Sequence, residues 1–483
     1  MSSIFEITHK DAAGRIGKLK TPHGTVETPT VMPVINPNLQ VIKPSEMRDF
    51  GAQMLITNSY IISRRDELRE KALKDGLHSL LDFDGPIMTD SGSFQLSVYG
   101  DIEITNEQII EFQKTIGSDV GVPLDIPTPP DVPRSRAESE LETTIKRLIE
   151  ARGMVNDEML LAGPVQGSTY TDLREKCAST ISEHKFDVYP IGAVVPLMES
   201  YRYAELVDVI VSSKKGLDPT VPVHLFGAGH PMMFALAVAL GCDLFDSAAY
   251  ALYAKDRRYI TSKGTYHIDN LSYLPCSCPI CVSHTAEEVK KADNCSDLLA
   301  RHNLYVTFEE IRLIKQSIKE GNLLELVELR CRSHPRMLEA LKRMYSYSDW
   351  IEKYDPASKS TFFYCGPESA QRPEVLRFSK RLERFTIKGT AVIRPFSMRT
   401  YPESDNDLIF KAPFGSFPAE LSEVYPFNAE VINDTDLESL GKALENTIRL
   451  IELNPDAEFT FIKGKELEHP LFEKLEKIAD VKE

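Results

Sequence analysis

No stretch of this 483-residue chain stays apolar for the roughly 20 residues that a membrane-spanning helix needs. The first residues, MSSIFEITHKDAAGRIGK, lack the apolar core and small-residue cleavage site of an export signal. Both absences point to a cytoplasmic protein with no membrane partner. Internal repeats and low-complexity tracts are missing as well. Positive charge is scarce: 56 Lys and Arg stand against 72 Asp and Glu, for a net charge of −16. Taken as an average, that argues against nucleic acid as a partner, because phosphate binding leaves a basic footprint. Two stretches are nevertheless locally basic, Arg330–Arg343 and Arg372–Lys388. They read equally well as solvated faces of amphipathic helices.

What is present is a soluble globular composition, 42% hydrophobic and 27% charged, in a chain too long for one ordinary domain. The first half holds eight short apolar runs with polar or glycine-containing tips: Thr28–Ile35, Met54–Tyr60, Pro86–Gln95, Val120–Thr128, Leu160–Gly167, Val188–Pro196, Val221–Gly229 and Cys242–Tyr250. Most are separated by enough sequence for a helix. Ser135–Arg152 sets Leu141, Ile145, Leu148 and Ile149 on one face, and Thr169–His184 and Tyr201–Lys214 read similarly. The pattern predicts an α/β fold, a (β/α)8 TIM barrel with its chemistry at the strand C-terminal ends. Arg257–Cys281 reads as loop and metal-site sequence, and Phe308–Met344 as helical. The expected division is a barrel domain over 1–355, with a zinc-binding insertion near 270–305. A small α+β C-terminal region follows, as subdomains over 361–425 and 426–483.

Of eight cysteines, Cys177, Cys242, Cys295, Cys331 and Cys365 are scattered, as small core residues of a reduced protein would be. The other three, Cys276, Cys278 and Cys281, form C-x-C-x-x-C. Three thiolates and one imidazole make a tetrahedral Cys3His zinc site, expected to hold one structural ion. His284 and His302 are the candidates for the fourth ligand. His302 is favoured, since His284 would close a very tight loop while His302 would pin a helix to the loop.

Two of the strand tips are aspartates, Asp90 and Asp246, each beside small residues that let a substrate approach. A carboxylate pair across a barrel mouth suits substitution at an anomeric carbon: one attacks, the other moves the proton. The competing reading makes them helix caps or ligands of loop amides. Asp125, Gln166 and the 191–195 run would ring the same mouth and suit a purine edge, with Phe94 and Phe226 stacking on a flat ring.

These motifs converge on a known family. MTDSGSFQ (88–95), DIPT (125–128), VQG (165–167), IGAVVPLME (191–199), HLFGAGHP (224–231), DLFDSAAY (243–250) and CSCPIC (276–281) resemble the tRNA-guanine transglycosylases. RSHPRMLEAL (332–341), FFYCGPES (362–369) and RPEV (372–375) resemble the archaeal type in particular. The resemblance implies exchange of guanine at position 15 of tRNA, in the D-loop, for 7-cyano-7-deazaguanine (preQ0), a step toward archaeosine. It makes Asp246 the nucleophile and Asp90 the general acid/base. Asp125, Gln166, Ser91 and the backbone of Gly192, Ala193 and Val194 become the base pocket, with Phe94 and Phe226 sandwiching the ring. The zinc ligands become Cys276, Cys278, Cys281 and His302. The implied partners are tRNA, preQ0 and guanine, and a homodimer is the expected assembly. Archaeal relatives usually end in an RNA-binding PUA domain, and this chain is expected to stop before it. A separate PUA protein, or a basic surface around Arg372–Lys388, would then take its place. An archaeosine-synthase-like paralogue, a non-catalytic tRNA-binding subunit and a retaining glycoside hydrolase are the rival readings. Retention of both aspartates speaks against the first two, and the cysteine cluster and purine-reading residues against the third.

Overall fold

The computed structural model describes residues 4–93, 104–155, 158–396, 406–432, 435–464 and 468–482. Phe94 therefore lies outside the described residues. The chain divides into two compact units, one of 1–319 and 326–343, the other of 320–325 and 344–483.

The first unit opens with an antiparallel sheet of β1 (Phe5–Asp11), β2 (Gly14–Thr21) and β3 (Gly24–Thr28), which the apolar-run pattern did not separate. Eight parallel strands follow: β4 (Thr30–Ile35), β5 (Leu55–Asn58), β6 (Ile87–Asp90), β7 (Val120–Gly121), β8 (Leu160–Leu161), β9 (Tyr189–Ile191), β10 (Val223–Leu225) and β11 (Leu244–Ser247). Each falls within one of the eight apolar runs. Buried on both faces, such strands read as continuous apolar segments. Neighbours pair in chain order, and β11 returns to β4. Bridges Ala162↔Val188 and Val165↔Ile191, with Gly163 N–H donating to Val188 O at 2.8 Å, link the β8 and β9 edges and close the ring. The runs at 120–128 and 160–167 shrink to two-residue strands, because Pro123 and Pro164 cannot donate to a ladder.

The barrel is filled, not hollow. Phe5, Leu19 and Val26 of the small sheet share one core with Met32, Ile56, Met88, Val120 and Leu244 of the strands and with Val188 just before β9. The small sheet plugs the N-terminal end: the His23 amide and ring, in the β2–β3 turn, meet Asp119 just before β7 at 2.8 and 3.0 Å. Arg15 similarly meets Asp243, just before β11, at 2.8 and 2.7 Å. The C-terminal end is left for a site.

Helices Arg134–Arg152, Thr171–Glu183 and Tyr203–Gly216 lie close to their expected spans. The 308–344 region is three helices, Cys295–Glu320, Leu323–Cys331 and Pro335–Tyr345. Gly321, at φ 69°, ends the first, and Pro335 opens the third. Within 257–281, expected to be loop, the chain forms a hairpin, β12 (Arg258–Thr261) and β13 (Gly264–His267). Its turn is held by Thr261 Oγ1, which donates to Gly264 O at 2.9 Å.

The second unit carries β14 (Phe363–Tyr364) paired with β18 (Glu430–Val431). It also has a five-stranded sheet of β15 (Gly389–Pro395), β16 (Asp407–Lys411), β17 (Gly415–Pro418), β19 (Ala457–Ile462) and β20 (Asp480–Lys482). One aromatic-rich core runs from Phe362 to Leu475 and includes Phe378, Phe414, Phe417 and Phe427.

Candidate active site

Asp90 is the last residue of β6, and its neighbour strand β5 ends in Asn58. Asn58 works in two directions. Its Oδ1 accepts the Ile61 amide at 2.9 Å and so caps the helix Ser59–Ser63, while its Nδ2 donates to Asp90 Oδ2 at 3.1 Å. The chain then turns away sharply at Gly92, φ 83°, where a Cβ would lie 2.5 Å from Tyr60 Cβ. Only glycine lets the Asp90 loop fold this closely. Ser93 Oγ pairs with Ser91 Oγ at 2.9 Å and accepts the Asp125 amide at 3.1 Å, which ties the loop after β6 to the loop after β7.

Asp125 is buried, and its Oδ2 accepts from Gln166 Nε2 at 2.6 Å. Gln166 Oε1 is buried without a hydrogen-bond partner among the described residues. A Cβ on Gly192 would stand 2.1 Å from Gln166 Nε2, so a side chain there would displace the glutamine. Beneath these loops lies Arg174, fully buried, which the sequence reading missed. It donates to the carbonyls of Ser168, Val165 and Gly192 at 2.8, 2.8 and 2.9 Å. Burial pushes its guanidinium down to about 10. Its sequence signal was weak: an arginine on the apolar face shared by Leu173, Cys177 and Ile181.

Asp246 sits on β11. Its Oδ1 accepts from His224 Nε2 at 2.8 Å and from the Gly227 amide at 2.7 Å. A cavity of about 910 Å3 joins these parts. Asn58, Asp90, Ser93, Asp125, Gln166 and Asp246 belong to its polar lining, which Arg136, Glu140 and Lys255 extend. Gly192, Ala193, Val195 and Phe226 face it too, whereas Ser91 and Val194 are buried and do not line it. The three aspartates repel one another. Burial, then the charges of Asp125 and Asp246, push the Asp90 carboxyl up to about 7. Burial also raises Asp125, opposed by the hydrogen bonds of Gln166 and Ser93. The arrangement offers a carboxyl that exchanges a proton near neutrality, a carboxylate oriented by two donors, and an acceptor-rich end for a planar base.

The thiols of Cys276, Cys278 and Cys281 and the His302 ring nitrogen lie within 4.8 Å of one another. His302 Nδ1 faces Cys278 and Cys281 Sγ at 3.4 and 3.3 Å, while Nε2 donates to Ile260 O of β12 at 2.9 Å. That second bond fixes the tautomer with Nδ1 free to ligate. Tyr259 stacks on the ring at 3.6 Å. His284 is turned to its own backbone, with Nδ1 3.0 Å from Ile280 O. The cluster suits a metal ion.

Residues 10–336 match the family model described as Queuine tRNA-ribosyltransferase. A Methanosarcina mazei protein described as tRNA-guanine(15) transglycosylase is 70% identical over 479 residues, covering 99% of this chain and 98% of the relative. A Haloarcula marismortui protein of the same description is 54% identical, over 95% and 94% of the two chains. One from Methanothermobacter thermautotrophicus is 51% identical, over 91% of this chain and 70% of its own longer one.

Proposed function

The chain belongs to the tRNA-ribosyltransferase family of these relatives, and from that membership we propose that it exchanges guanine at position 15 of tRNA for preQ0, toward archaeosine. Asp246 attacks C1′ of the target nucleotide, so that a carboxylate oxygen–C1′ bond forms as the bond to the base breaks. Asp90 gives its proton to the departing guanine. The incoming preQ0 returns a proton to Asp90 and displaces Asp246 from C1′. Two inversions preserve the β configuration. Asp125 and Gln166 hold the donors of the base, and Phe226 packs on its ring; Phe94 is proposed for the other face. The target base must leave folded tRNA to reach the cavity, so rearrangement of the D-arm belongs to binding.

The observation that carries this reading is the pair of unlike carboxyls: Asp90 is poised at about 7, while Asp246 is held by two donors in the same cavity. Displacement of radiolabelled guanine from archaeal tRNA by preQ0 tests it. The wild type should exchange, and Asp246→Ala should lose at least about 1,000-fold in rate. Undiminished exchange by the mutant would sink the assignment of the nucleophile.

The Cys3His cluster is proposed to hold one Zn2+. Soft thiolates with one imidazole are the donor set of closed structural zinc sites, and the Ile260 carbonyl supports the imidazole from behind. When bound, the ion would cross-link the CSCPIC loop and the helix bearing His302, whose Nε2 in turn holds hairpin β12–β13.

A further inference from the structure

We infer that His224 is a positioning residue for the nucleophile: its Nε2–H, with the Gly227 amide, fixes Asp246 Oδ1 so that Oδ2 is the oxygen that attacks C1′. The inference rests on the exchange reading and adds to it which oxygen reacts and what holds it.

Both donors converge on one oxygen, at 2.8 and 2.7 Å. The backbone is shaped for this. Gly227 has φ 66°, and a Cβ there would lie 2.4 Å from Val195 Cγ2, so the turn that aims the amide at Asp246 admits no side chain without displacing Val195. His224 comes from β10, whose register pairs it with Leu244, two residues before the nucleophile. Its ring is fully buried, beside Phe226 in an edge-on contact at 4.6 Å, and it does not line the cavity.

The other ring nitrogen settles what kind of group this is. His224 Nδ1 is buried with no hydrogen-bond partner among the described residues. A proton on Nδ1 would be a buried donor with nothing to receive it, costlier than a bare lone pair. The hydrogen that finds a partner is the one on Nε2, pointing at Asp246. In this geometry the ring serves Asp246 as a fixed donor.

Fixed donors on Oδ1 serve both halves of the reaction. In the first, the Oδ2–C1′ bond forms while the bond from C1′ to guanine breaks, and Oδ1 becomes the carbonyl oxygen of the ribosyl ester. In the second, the incoming base bonds to C1′ and the electron pair returns to Asp246, where the same two donors stabilise the recovered charge. Orientation matters as much as charge, since a carboxylate free to rotate spends little time aligned with C1′.

The test compares the wild type with His224→Ala, His224→Leu and His224→Gln in guanine exchange at saturating tRNA. Alanine should lower kcat about 10- to 100-fold and leave KM for tRNA within about twofold. Glutamine, whose amide reaches the Nε2 position, should recover most of the loss. Leucine keeps the volume without the donor and replaces alanine if that variant does not fold. Covalent enzyme–tRNA adduct, trapped on denaturing gels, should form more slowly in step with kcat. An alanine or leucine kcat within about twofold of wild type overturns the inference. So does a glutamine variant no better than leucine. A wild-type chain that exchanges no guanine fails differently, because it sinks the exchange reading itself.

Discussion

Asp90 shares its enclosure with Asp125 and Asp246, and ionising it there is unfavourable on two counts: burial and like charge. Its carboxyl rises from 3.8 to about 7. Two consequences follow with definite signs. In the proposed reaction guanine departure needs the protonated form, so single-turnover formation of the covalent adduct should fall as pH rises through about 7. Asp90→Asn should be slow throughout and lose that limb. For stability, the native state binds the proton more tightly than the unfolded chain, so Asp90's contribution is greatest below 3.8 and is lost as pH rises through about 7. Asp90→Asn should therefore melt a few degrees higher than wild type at pH 8, with the gap closing toward pH 4. Thermal melts at both pH values check this; a gap independent of pH would contradict it. Elsewhere in the lining, Gly192, Ala193 and Val195 face the cavity, while Val194 is buried and does not line it. An apolar wall favours the uncharged cyano group over a cationic aminomethyl group, which would lose hydration there without a partner. Competition between the two bases should favour preQ0 by at least about tenfold, and equal incorporation would refute the role given to this wall.

At the scale of elements, what could be read from the sequence follows a physical rule. Strands buried on both faces leave apolar runs, and an aspartate or glutamine ending such a run stands out; Asp90, Asp246, Asp125 and Gln166 were legible for that reason. The supports behind them were not. Arg174 is one arginine on the apolar face of its helix, and its partners are carbonyls, which carry no sequence signal. His224 sits inside an apolar run with nothing to separate it from a core histidine. Hairpin β12–β13 reads as loop in the sequence because its pairing is four residues long and its stability comes from elsewhere. Asn303 supplies much of it: its Oδ1 accepts the Ile260 amide at 2.9 Å, and its Nδ2 donates to Arg258 O at 3.2 Å. Adjacent His302 reaches Ile260 O from the same helix. The proposed metal ligand and the hairpin clamp are thus consecutive residues, so losing the proposed ion should loosen the hairpin. Purified protein should carry about one zinc per chain, and Cys281→Ser should lower both zinc content and melting temperature. Full zinc retention by the mutant would exclude Cys281 as a ligand.

Across the whole molecule the difficulty is charge, since a chain of net charge −16 must hold tRNA. Neither locally basic stretch is as free as its sequence suggests. Arg330 pairs with Glu310, Arg332 with Glu328, Arg336 with Glu339 and Arg343 with Asp208. In the second unit, Arg372 is buried between Glu325 and Glu374. Arg377, 6% exposed, meets Glu352 at 3.1 Å, Asp355 at 3.0 Å and the carbonyls of Asp355 and Pro356. The inner arginines of 372–388 thus satisfy buried acids, which weakens that stretch as a substitute RNA-binding face; Lys380, Arg381, Arg384 and Lys388 remain at the surface. The two uses of Arg377 predict different outcomes. As a structural cation, Arg377→Ala leaves Asp355 and Glu352 without it and should destabilise the second unit by about 3–5 kcal/mol, seen in urea unfolding. KM for tRNA, measured where the variant is fully folded, should stay within about twofold of wild type. A phosphate-binding arginine would do the reverse, raising KM and shallowing its salt dependence by about one ion while leaving stability intact. That second outcome would return this helix to the tRNA interface.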